Sequence, residues 1–212
     1  MKIPYFKEIK LPKKQIKNMR GYNTLRKKCL EILNSDLPSS LHYHSIRHTL
    51  NVLKNCEYHI RYYDIEPYDA KLLRLGVLLH DIGFTVTIEE HELESAKIAL
   101  KLMTEYGFSK SEIEVVRGLI MATRLPQSPG NLLERIICDV DLDYLGRKDF
   151  YKISDLLYKE LLERSAYFDK NHWNKIQIEF LENHTYHTEF AKRRRQKAKE
   201  RRIEELKASI TD

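Results

Sequence analysis

Apolar residues recur at intervals of three and four along nearly the whole chain, the period of a helix with one buried face. From His48 to Tyr63 the repeat is carried by Leu50, Leu53 and Ile60, and it stops at Asp64 and Pro67. Ala70 to Ile82 is apolar almost all round, through Leu72, Leu73, Leu75, Val77, Leu78 and Leu79. That pattern predicts a central buried helix, ended by Gly83. An amphipathic helix is expected over Glu90 to Tyr106, with Gly107 as its stop. Ser109 and Glu112 have the spacing of a capping box and open a helix through Ile113, Val116, Leu119 and Ile120 to about Thr123. Leu125-Pro-Gln-Ser-Pro-Gly130 is the clearest loop. Helices resume over Leu132 to Tyr144, closed by Gly146, then over Asp149 to Arg164 and Trp173 to His184. The last, about Thr188 to Ser209, is long and charge-rich, with Ile203 and Leu206 as the apolar residues that matter. There is no internal repeat and no low-complexity linker.

Composition sharpens this reading. With 7 Gly and 6 Pro in 212 residues the chain is poor in turn residues, which favours helices and short loops over an all-β fold. The expected fold is all-α: a bundle over 21–187, a lead at 1–20 and a protruding basic helix at 188–212. No stretch approaches the roughly 18 uninterrupted apolar residues of a membrane span, and Met1–Arg20 lacks the apolar run and cleavage site of a signal peptide. Three cysteines, Cys29, Cys56 and Cys138, form no CxxC pair, so no disulfide framework or zinc ribbon is indicated. A reducing cytoplasm is the natural compartment. The formal net charge is +6, with its excess in Lys2–Lys28 and in Lys192–Arg202. Nucleic-acid contact is compatible with such a tail, but a solvated helix face is favoured. The tail is expected to be dispensable for chemistry.

Chemistry is indicated by where the ionisable residues fall. His44 and His48 are four apart and share a face if the helix starts early enough. His80 and Asp81 are adjacent at the end of the most apolar helix, where burying both costs several kcal/mol unless the charge is compensated. Asp139, Asp141 and Asp143 alternate among Ile136, Ile137, Leu142 and Leu145, and carboxylates that close repel one another unless a cation draws one in. Each group taken alone is more often structural. In order, the His pair, His-Asp and buried Asp form a far more specific pattern. Imidazole and carboxylate without thiolate suit Mn, Fe, Co, Ni, Zn or Mg.

Tyr43-His-Ser-Ile-Arg-His48, Leu79-His-Asp-Ile-Gly83 and Asp139-Val-Asp-Leu-Asp143 resemble the H…HD…D signature of the HD-domain metal-dependent phosphohydrolases, over about Gly21 to Arg147. The resemblance implies an all-α HD-domain bundle that binds a divalent cation through His48, His80, Asp81 and Asp141, with Asp139 as the alternative to Asp141. Tyr43 to Val52 is also similar to a segment of cyclic-nucleotide phosphodiesterases, and Ile120-Met-Ala-Thr-Arg124 to a further one. That similarity implies that His44 protonates the leaving oxygen. In metal-assisted hydrolysis Asp81 or Asp141 is expected to orient the attacking water. His91 falls where a second-site histidine would, and is expected to touch substrate or a loosely held second ion, with a structural place at a helix start as the alternative. Arg47 and Arg124 are candidate phosphate clamps. The implied activity is hydrolysis of a small-molecule phosphoester, foremost a nucleotide or cyclic nucleotide, as a phosphodiesterase. The alternatives are a nucleotide phosphatase or a non-catalytic nucleotide-binding module.

Overall fold

Residues 67–79 carry Leu or Val on every side, so the helix they form is stable only where other helices cover it all round. The computed structural model describes residues 21–164 and 169–210; the expected lead at 1–20 lies outside them. Among the described residues every regular element is a helix or helical turn. These are α1 (Tyr22–Ser35), α2 (Ile46–Tyr62), α3 (Pro67–Leu79), α4 (His91–Glu105), α5 (Lys110–Ala122), α6 (Leu132–Asp141), α7 (Phe150–Arg164), α8 (Lys170–Asn183) and α9 (Glu189–Ala208). Two 3-10 turns, Ile82–Thr85 and Asp143–Gly146, extend α3 and α6.

Helix α3 is the axis. One of its faces packs Leu72, Leu75 and Leu78 against Leu25 and Leu33 of α1, Met103 of α4 and Val116 of α5. The opposite face packs Leu73 and Val77 against Val52 and Cys56 of α2 and Ile136 and Val140 of α6. At Gly76 a Cβ would lie 2.8 Å from Leu119 Cδ1, so only glycine lets α5 approach this closely. The capping box at Ser109 and Glu112 is formed as expected.

Three sequence expectations need correction. Helix α1 had no prediction, although Leu25, Cys29 and Leu33 repeat at four and are all buried; the surrounding lysines obscure the stripe. Leu50 is exposed, and the buried face of α2 runs through Val52, Cys56, His59 and Ile60. The C-terminal helix does not protrude. Ile203 and Leu206 of α9 are buried in a third core with Leu181 of α8, Leu145 and Phe150, and the Phe190 ring packs on His59 and Tyr62. A Cβ on Gly146 would lie 2.4 Å from the Arg195 carbonyl oxygen, which shows how closely α9 crosses the turn after α6. Charge fastens the rest. Arg195 forks onto Asp143 at 2.7 and 3.0 Å. The buried Lys199 ammonium donates to the Leu181 and His184 carbonyls at 2.9 and 2.5 Å, a cation set on the C-terminal end of α8. A periodicity reading discounts such residues because it takes lysine and arginine as solvent-facing.

Candidate metal centre

The central helix ends where its sequence turns from leucine to His80-Asp81. Successive helical residues point about 100° apart, so two neighbours reach one spot only if the helix breaks between them. It does: α3 stops at Leu79, and Asp81 (φ −104°, ψ 4°) leads into the 3-10 turn. The break is clamped from α4. Ser95 Oγ accepts from the Gly83 amide (2.8 Å) and donates to the His80 carbonyl (2.7 Å), restoring bonds that the helix end gives up. A Cβ on Gly83 would lie 2.0 Å from the His91 carbonyl oxygen, so this turn can lie against the start of α4 only with glycine there.

His48, in the first turn of α2, His80 at the end of α3 and Asp141, the last residue of α6, are brought together by the packing of these three helices. Their donor atoms all lie within 4.8 Å of one another. Asp141 Oδ1 is 3.0 Å from His48 Nε2 and 3.2 Å from His80 Nε2. Asp81 Oδ2 is 3.2 Å from His80 Nε2 and 3.5 Å from His48 Nε2. Two helices, α3 and α6, present their C-terminal ends here, and the partial negative charge of such ends favours a cation.

Hydrogen-bond accounting tests the fit of a metal. His80 Nδ1 donates to the Val77 carbonyl at 2.8 Å, so a neutral ring turns the lone pair of Nε2 toward the two carboxylates. Acceptors then face acceptors. Asp81 Oδ2 is buried and has no hydrogen-bond partner. Burial disfavours charge on His80, yet Asp81 and Asp141 outweigh it and raise the pKa of the ring well above its usual value. Burial likewise opposes ionisation of Asp81 and Asp141, and the histidines outweigh it, holding both below the usual carboxylate range. The cluster therefore requires positive charge, and two imidazoles with two carboxylates match a divalent cation.

Asp139 is not in this cluster. It lies two residues before Asp141 on α6, a spacing that turns the two side chains to different sides, and accepts from the His187 and Thr188 amides at 2.7 and 2.8 Å.

The residues 45–143 match the family model of the HD domain, just under half of the chain. This protein contains an HD domain. HD domains are generally metal-dependent hydrolases, and the match spans His48, His80, Asp81, His91 and Asp141. No curated protein matches the chain.

His44 lies one residue before the matched segment and precedes α2 instead of sharing its face with His48. Its position is set from outside the HD domain by Glu160 of α7, a fully buried carboxylate that the sequence reading missed. Glu160 accepts from the Tyr43 and His44 amides (2.9 and 3.0 Å), from His44 Nδ1 (2.6 Å) and from Arg164 (3.0 Å). Burial works against its charge, but the bonds from His44 and Tyr43 prevail and keep its pKa below the ordinary value. The His44 ring stacks on Phe84 (4.3 Å between centroids), which stacks in turn on His91 (3.9 Å). His91 Nε2 is 3.6 Å from Asp81 Oδ1 and 3.5 Å from Glu92 Oε1. His44, Asp81, His91 and Asp141 line one cavity of about 380 Å³. The two arginines singled out in the sequence do not line it: Arg47 is exposed beside a smaller cleft with Asn51 and Arg147, and Arg124 is paired to Glu90 at 2.5 Å. Arg164 does line it. Glu160 and Arg164 had a faint signal, an acidic and a basic residue four apart in an amphipathic helix, which reads as surface until the fold folds it inward.

Proposed function

We propose that this protein hydrolyses a phosphoester, with a divalent cation held by His48, His80, Asp81 and Asp141 and with His44 protonating the leaving oxygen. The observation that carries this reading is the convergence of the His48 and His80 nitrogens and an Asp141 oxygen beside the buried, donorless Asp81 Oδ2 at the foot of a cavity. A bound divalent ion supplies charge neutralisation at a phosphoryl oxygen and lowers the pKa of a water toward neutrality.

The remaining work falls to the chain's own groups. Asp81 Oδ1 faces His91 across 3.6 Å and is placed to orient the attacking water. His44 has Nδ1 bound to Glu160, which leaves Nε2 as the nitrogen that delivers a proton into the cavity its ring lines. Glu160 acts as a positioning residue. The Phe84 ring stacks on both His44 and His91 and limits how far either imidazole can turn. Arg164 replaces Arg47 and Arg124 as the guanidinium for a phosphoryl oxygen. His91 is placed for substrate or a second ion. A binding module without turnover leaves the His44–Glu160 pair without a task, so we prefer the hydrolase. The resemblance around His44 favours a phosphodiesterase, with a phosphatase second. Three buried free thiols support a reducing compartment such as the cytoplasm, and no helix among the described residues is long and apolar enough to cross a membrane.

Elemental analysis of the purified protein together with a phosphoester panel tests this. The wild type is expected to hold metal and turn over at least one ester, and Asp81→Ala to lose both. An Asp81→Ala protein with full metal content refutes the ligand assignment.

A further inference from the structure

The cavity changes character away from the metal end. Its far wall is built by α7 and α8, beyond the HD domain, from Leu157, Leu161, Trp173, Ile176, Phe180 and Leu181. Phe84, Ile88 and Leu125 face them. Ligand sites fix orientation with a few unspent polar groups, and in this wall the polar groups are already spent. Gln177 accepts from Ser154 and donates to Asn174 (3.2 Å). Thr123 donates to the Ile120 carbonyl at 2.7 Å, and Trp173 Nε1 to Ser154 Oγ at 3.3 Å. A nucleoside brings a ribose and base edges whose hydrogen bonds to water would be lost here without replacement, at a cost in affinity. An apolar group loses nothing and gains by burial.

Resting on the phosphoester-hydrolase reading, we infer that the alcohol half of the substrate is apolar, an aryl or medium-chain alkyl group seated between α7 and α8, and not a nucleoside. His44 joins the metal end to α7, with Nδ1 bound to Glu160 and its ring 6.2 Å from those of His48 and His91, and the bridging oxygen is assigned to its side of the cavity. In the reaction the oxygen of water forms the new bond to phosphorus and the phosphorus–oxygen bond to the alcohol breaks. The leaving oxygen takes its proton from His44, the alcohol departs neutral, and the proton of the attacking water restores the ring.

The test uses the full-length, metal-loaded protein and two measurements. The first is kcat/KM for phosphate or alcohol release from ethyl, butyl, hexyl and octyl phosphates and their methyl diesters, beside AMP and cyclic AMP. We expect kcat/KM to rise about fourfold per added methylene until the cavity is filled, with the octyl ester preferred over either nucleotide. The second is binding of non-hydrolysable ethyl- and octylphosphonate. It is read from the emission of Trp173, the only tryptophan of the chain and part of the cavity wall. Ile176→Glu, at a position 38% exposed and so tolerant of charge, is expected to flatten the chain-length dependence and weaken octylphosphonate by more than tenfold. Leu161→Gln serves as a second wall variant should the first lose its fold. Hydrolysis without chain-length dependence, or with a nucleotide preferred, overturns the inference and leaves the hydrolase reading intact. Chain-length-dependent phosphonate binding with no ester hydrolysed sustains the apolar site and removes the hydrolase reading. Absence of both overturns the inference.

Discussion

Replacing Glu160 with Gln isolates the contribution of the carboxylate that holds His44. The side chain keeps its shape and one carbonyl oxygen, which can still accept from the Tyr43 and His44 amides that now reach Oε2 at 2.9 and 3.0 Å. The other oxygen becomes an amide NH2 facing two donors, His44 Nδ1 at 2.6 Å and Arg164 at 3.0 Å. Arg164 is displaced, and His44 can meet the new amide only by turning an unprotonated Nδ1 toward it. Nε2 then carries the single ring proton, and the bond to a carboxylate that sets the ring in place is lost. A hydrogen bond to a charged partner contributes about 1.5–3 kcal/mol, so kcat for an alkyl ester should fall by roughly 10- to 150-fold at 1.4 kcal/mol per decade. His44→Ala, which removes the acid outright, should lose about 10²- to 10⁴-fold. A nitrophenyl ester, whose leaving oxygen needs no proton, should lose little with either variant. Metal content and cooperative unfolding should persist in both. Equal losses on alkyl and nitrophenyl esters, or loss of metal from Glu160→Gln, would refute the account of Glu160 as acting through His44.

Four shorter expectations accompany it. Asp141→Asn should lose the metal by elemental analysis while Asp139→Asn keeps it and lowers the denaturation midpoint, because Asp139 serves the start of α9; the reverse outcome exchanges their roles. Divalent metal should raise the Tm of the wild type but not of Asp81→Ala, since only a ligand of the folded state stabilises it. On pH, burial lowers the pKa of His59 and of His184 to about 3 each, so both are neutral in the fold and titrate near 6.5 when unfolded. Stability should then fall as pH drops below about 6.5, by up to ~1.4 kcal/mol per unit per histidine, partly offset below pH 6 by Asp139, whose pKa burial raises to about 6; a stability profile flat from pH 6.5 to 5 in a denaturant titration refutes this. Ending the chain after His187 should abolish cooperative unfolding, because it uncovers Asp143, opens the third core and removes Lys199 from the end of α8.

How much was legible in the sequence depends on how local the determining physics is. The helices read well because their burial repeats within a few residues, as with Leu72 to Leu79. The grouping of His48, His80 and Asp141 was legible because His80 and Asp141 sit in apolar surroundings that their own neighbours declare. The site's other half did not. Glu160 lies 116 residues from His44, and nothing within its own helix distinguishes it from Glu163, which pairs with His42 at the surface. The packing of α9 was hidden for the same reason: Arg195 and Lys199 are buried through partners that no window around them contains, so a charged helix looked solvated.

The three aspartates of α6 and its turn show what separates a metal ligand from a structural carboxylate once the fold is known. Burial does not, since Asp139 and Asp143 are buried more deeply than Asp141. Donor supply does. Asp139 has two backbone amides, Asp143 has the fork of Arg195, and Glu160 across the cavity has four donors of its own. Asp141 and Asp81 have only imidazole nitrogens, the Nε2 atoms of His48 and His80 and, at 3.6 Å from Asp81, that of His91. The His80 ring has already committed its Nδ1 proton to Val77, so it can donate toward the carboxylates only by taking on a second. This pair is short of hydrogen-bond donors, and two such charges in a low-dielectric setting are not held by geometry alone. The deficit is met either by protons on the histidines or by a divalent ion, for which His48, His80 and Asp141 lie close enough to serve together as ligands.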